Sequence, residues 1–231
     1  MRPRLCHPTH RDPNLTSATS LFHSARFVTS VAQPQQLAGA ALDLLPELAF
    51  AGRSNAGKSS AINALTQQRQ LAFASKTPGR TQLLNFFSLS RKDASGRSIS
   101  RAYLVDLPGY GFARADPVTR SGWDALVGGY LQSRRMLAGV VLVMDARRPL
   151  LAADHALLQW LARREAPQRT HLCLLLSKAD QLGTVERRHA LAAAERQARA
   201  TPMPTSVQLF SALKREGVDE LAQTLERWLA L

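Results

Sequence analysis

From about residue 45 onward, two hydrophobic patterns alternate along the chain. Apolar runs at 48–51, 83–89, 99–105, 140–144, 171–176 and 207–209 have the length and turn-residue borders of strands. Stretches at 60–65, 117–135, 154–164, 185–199 and 218–229 carry helical spacing instead. Strand and helix alternate through the C-terminal half, which implies parallel strands with helices on both faces. The polar connection at 91–96 is too short for a crossover, so the strands it joins are antiparallel neighbours. The pattern predicts an α/β fold with a mixed six-stranded sheet, mostly parallel with one antiparallel strand.

The N-terminal region fits neither pattern. Residues 1–20 are polar, carry Pro3, Pro8 and Pro13, and predict a disordered tail. Their Arg- and Ser-bearing, acid-poor composition also fits a mitochondrial transit peptide, but the proline spacing spoils the amphipathic helix such a peptide needs. Residues 21–40 read as a packed extended arm followed by a turn. Without an internal repeat or a second domain, residues 21–231 are expected to form a single domain.

Composition narrows the partners. With 45% hydrophobic residues the chain can fill a core, and no apolar run approaches the length of a membrane span. Cys6 and Cys173 make no disulfide framework, which predicts a soluble chain in a reducing compartment. A net charge of +13 points to a polyanionic partner, although the excess is also a bias toward arginine. Against that bias, Lys58, Lys76, Lys92, Lys178 and Lys214 mark places where a guanidinium would not serve, and only Lys92 sits in a plain turn.

The run 48–51 passes directly into Gly52-Arg53-Ser54-Asn55-Ala56-Gly57-Lys58-Ser59, which opens the next helical stretch. This is a P-loop in the context it requires, with a strand before and a helix after. Gly52 and Gly57 let the backbone turn its N–H groups toward an anion, and the helix N-terminus adds partial positive charge. Lys58 suits the β- and γ-phosphates of a nucleotide, and the Ser59 hydroxyl suits the accompanying magnesium ion.

Three further segments follow in the order such a site needs. Asp106-Leu107-Pro108-Gly109 ends a strand, where the Asp can hold magnesium through water and Gly109 can offer its N–H to a γ-phosphate. Ser177-Lys178-Ala179-Asp180 also follows a strand. A carboxylate there can accept the N1–H and exocyclic amino hydrogens of guanine together, a pairing adenine does not supply. Phe210-Ser211-Ala212 ends the last strand, within reach of the guanine oxygen.

These segments, with Thr77-Pro78-Gly79-Arg80-Thr81-Gln82 and the Pro108-Gly109-Tyr110-Gly111 loop, resemble the EngB family of bacterial GTPases. The resemblance implies a Ras-like fold that binds GTP or GDP with magnesium, assists assembly of the large ribosomal subunit, and is needed for normal cell division and septation. It implies that Ser59 and Thr81 ligate magnesium, that residues Gly79 to Leu83 close over the nucleotide, and that Asp180 selects guanine. Ser177 stands where the base motif usually begins with Thr or Asn, so a weaker brace on the P-loop is expected. Tyr110 stands where Ras-like enzymes carry a water-orienting Gln, which implies slow intrinsic hydrolysis completed by a partner and leaves the catalytic group unassigned. Asn55 is a candidate to help hold a potassium ion, as in related potassium-stimulated GTPases.

The expected partner is ribosomal RNA of the large subunit, with no membrane or DNA partner, for a cytoplasmic monomer. Arg114, Arg120, Arg134, Arg135, Arg147 and Arg148 are the candidate phosphate contacts. The rival readings are a P-loop nucleoside or small-molecule kinase, against which Asp180 and the lack of a lid-like insertion argue, and a GTP-binding module with negligible turnover.

Overall fold

The computed structural model describes residues 21–33, 36, 42, 45–72, 83–110 and 122–230. At its centre lies β2 (Glu47–Gly52), every residue of which is buried. A central strand is covered on both faces, which is why Leu48 to Ala51 read as an unbroken apolar run. Around it are β1 (Arg26–Val31), β3 (Leu84–Lys92), β4 (Ser98–Asp106), β5 (Leu137–Asp145), β6 (His171–Ser177) and β7 (Thr205–Leu209), in the order β1-β3-β4-β2-β5-β6-β7. β2, β4, β5, β6 and β7 are parallel, and β3 runs against its neighbours β1 and β4.

The sheet therefore has seven strands where six were expected. The added one is β1, the segment read as an extended arm. It is an edge strand paired only with β3, and it leaves Phe27 59% and Val28 44% exposed, so it lacks the alternation that marks a strand.

Helices cover both faces, and side-chain alternation along the strands sorts the core into two layers. Leu48, Phe50, Val141, Val143 and Leu175 pack with α1 (Lys58–Thr66) and α5 (Val218–Trp228). Ala49, Ala51, Val140, Leu142 and Leu174 pack on the opposite side. There they meet a π-helical turn Asp124–Gly128 that runs into α2 (Gly129–Ser133), together with α3 (Ala152–Ala162) and α4 (Thr184–Arg199). Gly139 on β5 admits the Trp228 ring, which a Cβ would meet at 2.3 Å, and that ring stacks on His171 at 5.2 Å.

Glu47 carries a charge into the core. It is fully buried and accepts hydrogen bonds from Tyr130 Oη (2.8 Å) and from Arg134 Nε (2.8 Å) and Nη2 (2.6 Å). Arg134, itself 7% exposed, also donates to the Leu42 carbonyl. This corrects the reading of Arg134 as an RNA contact: its guanidinium neutralises a buried carboxylate and is turned away from solvent.

Candidate nucleotide-binding site

The motif segments among the described residues converge at the carboxyl ends of strands of one sheet, where open α/β sheets bind ligands. β2 ends at Gly52 and pairs with β4, Phe50 opposite Asp106; on its other side β5 pairs with β6, Asp145 opposite Ser177. Gly52 is required because a Cβ would meet the Val143 carbonyl at 2.7 Å. Gly57 sits at φ +96°, which favours glycine, and caps α1. Lys58 ion-pairs with the buried Asp106 at the mouth of the loop.

The base motif is locked to the P-loop. Ser177, 3% exposed, donates its hydroxyl to the Ala56 carbonyl and also lies 3.0 Å from the Met144 carbonyl. The serine hydroxyl therefore reaches the P-loop. Lys178 adopts φ 58° and its ammonium bonds the Asn55 carbonyl (2.7 Å) and Asp145 Oδ2 (3.0 Å). Asn55 is likewise left-handed at φ 65°. Such backbone costs about 1–3 kcal/mol per residue and persists where surrounding contacts enforce it. Asp180 accepts a 2.5 Å bond from the Ser211 hydroxyl, and Ala179 N–H bonds the Phe210 carbonyl at 3.1 Å. The Ser211-Ala212 segment is thereby held beside the base motif.

Sequence comparison fixes the family. A family model described as "50S ribosome-binding GTPase" matches residues 47–178. The "Probable GTP-binding protein EngB" of Thiobacillus denitrificans is 48% identical over 214 residues, covering 93% of this chain and 95% of its own. Its namesake from Paraburkholderia xenovorans is 46% identical over 214 residues, covering 90% and 93%.

The chain belongs to the EngB family of GTP-binding proteins.

Among solved structures, a probable GTP-binding protein EngB matches with TM-score 0.55 at 21% identity, covering 80% of this chain and 98% of that one. The elongation factor SelB of Methanococcus maripaludis in complex with GppNHp matches with TM-score 0.54 at 17% identity, where this chain spans 34% of a longer protein. At these identities the likeness is one of fold, the Ras-like GTPase fold.

In this EngB-family chain, Tyr110 is anchored. It is 5% exposed, its hydroxyl donates to Asp154 Oδ1 at 2.7 Å, and its ring packs on Trp123 at 5.5 Å. Burial, followed by the charge of Asp154, pushes the Tyr110 hydroxyl well above its ordinary pKa, so it remains a protonated donor.

The oxygen donors present suit magnesium, which with nucleotides takes one or two protein oxygens together with phosphates and water. Ser59 lies in the first turn of α1 and Asp106 ends β4. Among the described residues no group of three or more His, Cys, Asp or Glu forms a metal cage. Gly79, Arg80, Thr81 and Gln82 lie outside the described residues, as do Lys76, Gly111, Arg114 and Arg120; Leu83 is half-buried just before β3. Arg135, Arg147 and Arg148 are exposed. Among the described residues no helix is long and apolar enough to cross a membrane.

Two site residues escaped the sequence reading. Asp145 receives both Lys178 and a bidentate Arg147, at 2.9 and 2.6 Å. Hydrogen bonds from Arg147, then from Lys178, hold its carboxyl well below the usual carboxylate range. Arg147 is therefore already engaged, although exposed. The available signal was an acid ending a buried strand, as Asp106 does. Asp154, fully buried, is the other.

Proposed function

We propose that this GTP-binding protein is a slow guanine-nucleotide switch in assembly of the large ribosomal subunit, cytoplasmic and ribosome-associated, and required for normal cell division and septation. The observation that carries the guanine reading is the Asp180 carboxylate, fixed by Ser211 and linked through Ser177 and Lys178 to the P-loop. Held in that orientation, its free oxygen sites face a base with two neighbouring donors. A kinase needs neither this selector nor its coupling to the phosphate loop.

Each residue then has a defined task. Lys58, paired with Asp106 in this structure, would instead pair with phosphate oxygens of a bound nucleotide, and Asp106 would help hold magnesium through water. Ser59 and Thr81 would hold magnesium, which when bound neutralises charge on the β- and γ-oxygens. Gly109 offers its N–H to the γ-phosphate. With the Tyr110 hydroxyl given to Asp154, no carboxamide orients the attacking water from that position, which supports slow intrinsic turnover and completion by a partner. Asn55 is the residue that would hold a stimulating potassium ion.

The net charge of +13 and the description of the matching family model support a ribosomal RNA partner. Single-turnover GTP hydrolysis tests the reading, measured with and without large ribosomal subunits, in potassium and in sodium at matched ionic strength. Slow basal turnover accelerated by the subunit supports it. Absence of binding to the subunit contradicts the ribosomal reading, and equal rates in the two salts contradict the role of Asn55.

A further inference from the structure

We propose that Asp154 is a positioning residue for the γ-phosphate wall of the site, acting through Tyr110 and Arg53. The inference rests on the guanine-nucleotide reading above. Asp154 lies in the first turn of α3, where a carboxylate ordinarily caps the helix and stays wet. Here its Oδ2 accepts the Leu151 N–H at 2.9 Å, as a cap would, yet the side chain is fully buried. Two further partners reach it from distant segments. The Tyr110 hydroxyl donates to Oδ1 at 2.7 Å, and Arg53 Nε approaches Oδ2 at 3.3 Å while the same guanidinium donates to the Arg148 carbonyl at 2.8 Å. Capping alone explains neither.

Those partners stand on the two loops that must meet around a γ-phosphate. The P-loop and the D-x-x-G segment are already zipped at this point: Ser54 N–H bonds the Tyr110 carbonyl at 2.9 Å, and Tyr110 N–H bonds the Gly52 carbonyl at 3.3 Å. Gly109 is pressed against the P-loop, since a Cβ there would lie 3.0 Å from Ser54 Oγ. It is also flanked by two anchors. Trp123 Nε1 donates to the Pro108 carbonyl at 3.1 Å on one side, and Tyr110 is tied to Asp154 on the other. The Trp123 ring stacks at 5.6 Å on Trp160, also on α3, so both anchors rest on the same helix. Asp154 thus sets where the Gly109 N–H points relative to the P-loop. GDP has no γ-phosphate and does not draw on that arrangement.

The test uses the full chain with Tyr110→Phe, which removes only the hydroxyl, and Asp154→Asn. Affinities for GDP and for a non-hydrolysable GTP analogue are measured, with single-turnover hydrolysis and thermal melting. Tyr110→Phe should leave GDP affinity within about twofold while weakening the analogue and slowing hydrolysis about tenfold, the factor of one lost buried hydrogen bond. Equal loss for both nucleotides, or a lowered melting temperature with an unchanged GTP-to-GDP ratio, would overturn the proposal and leave Asp154 as a structural cap. Should Asp154→Asn fail to fold, Tyr110→Phe still decides. A wild-type chain that binds GDP normally but shows no ratio change in the variant rejects only this inference; one that binds neither nucleotide rejects the nucleotide reading as well.

Discussion

Ser177, at the end of β6, donates its hydroxyl to the carbonyl of Ala56 inside the P-loop. A side chain of the base motif therefore fixes the backbone that holds phosphate, so base and phosphate recognition share one rigid unit. Ser177→Ala removes the donor and leaves a buried carbonyl without it, at a cost of about 1–1.5 kcal/mol. GDP affinity should fall about tenfold, read by titration with a fluorescent GDP. An unchanged affinity would show that the P-loop holds its shape without this bond.

Arg134 should behave as a core residue. Arg134→Ala removes both hydrogen bonds that the guanidinium donates to the fully buried Glu47. Urea unfolding should show a loss of about 3–5 kcal/mol, the usual effect of breaking a buried ion pair by removing one partner. A surface arginine used for RNA would instead lose subunit affinity with stability nearly intact.

That contrast shows what the sequence could and could not say. The strand-P-loop-helix unit, the acid-ended β4 and the base motif on β6 were legible because each pairs a local motif with an apolar run of strand length. Arg134 was misplaced because a charge in a helical stretch reads as solvated unless its partner is known, and Glu47 lies 87 positions away. Asp154 and Tyr110 likewise meet across 44 positions. β1 was underread because an edge strand with exposed Phe27 and Val28 carries no period-two signal. Spatial pairing is the information that single-sequence periodicity lacks.

The hold on Asp145 predicts a pH dependence. Its carboxyl is depressed in the folded state by Arg147 and Lys178, so its stabilising contribution is complete above the unfolded value of about 4. It is lost as pH falls through the lower folded value. The melting-temperature gap between wild type and Asp145→Asn should be constant from about pH 8 to 5 and narrow below about 4. A gap that widens in acid would contradict the assignment.

Arg135 and Arg148 remain exposed and are the described candidates for RNA phosphate contact. Binding to large subunits should weaken steeply with salt, and replacing either with Glu should flatten the slope of log affinity against log salt by about 0.7–1. A response to salt that is flat in the wild type would reject a phosphate-dominated interface.

The most direct test of guanine-nucleotide recognition is the base selectivity of Asp180→Asn, measured as affinities for GTP and for xanthosine triphosphate. Asp180 is half-buried and held at 2.5 Å by Ser211, so the change alters the hydrogen-bonding pattern offered to the base with little change of shape. GTP affinity should drop by about a hundredfold or more, as for a lost charge-assisted pair, while xanthosine triphosphate gains. GTP affinity that survives the substitution unchanged would contradict the account.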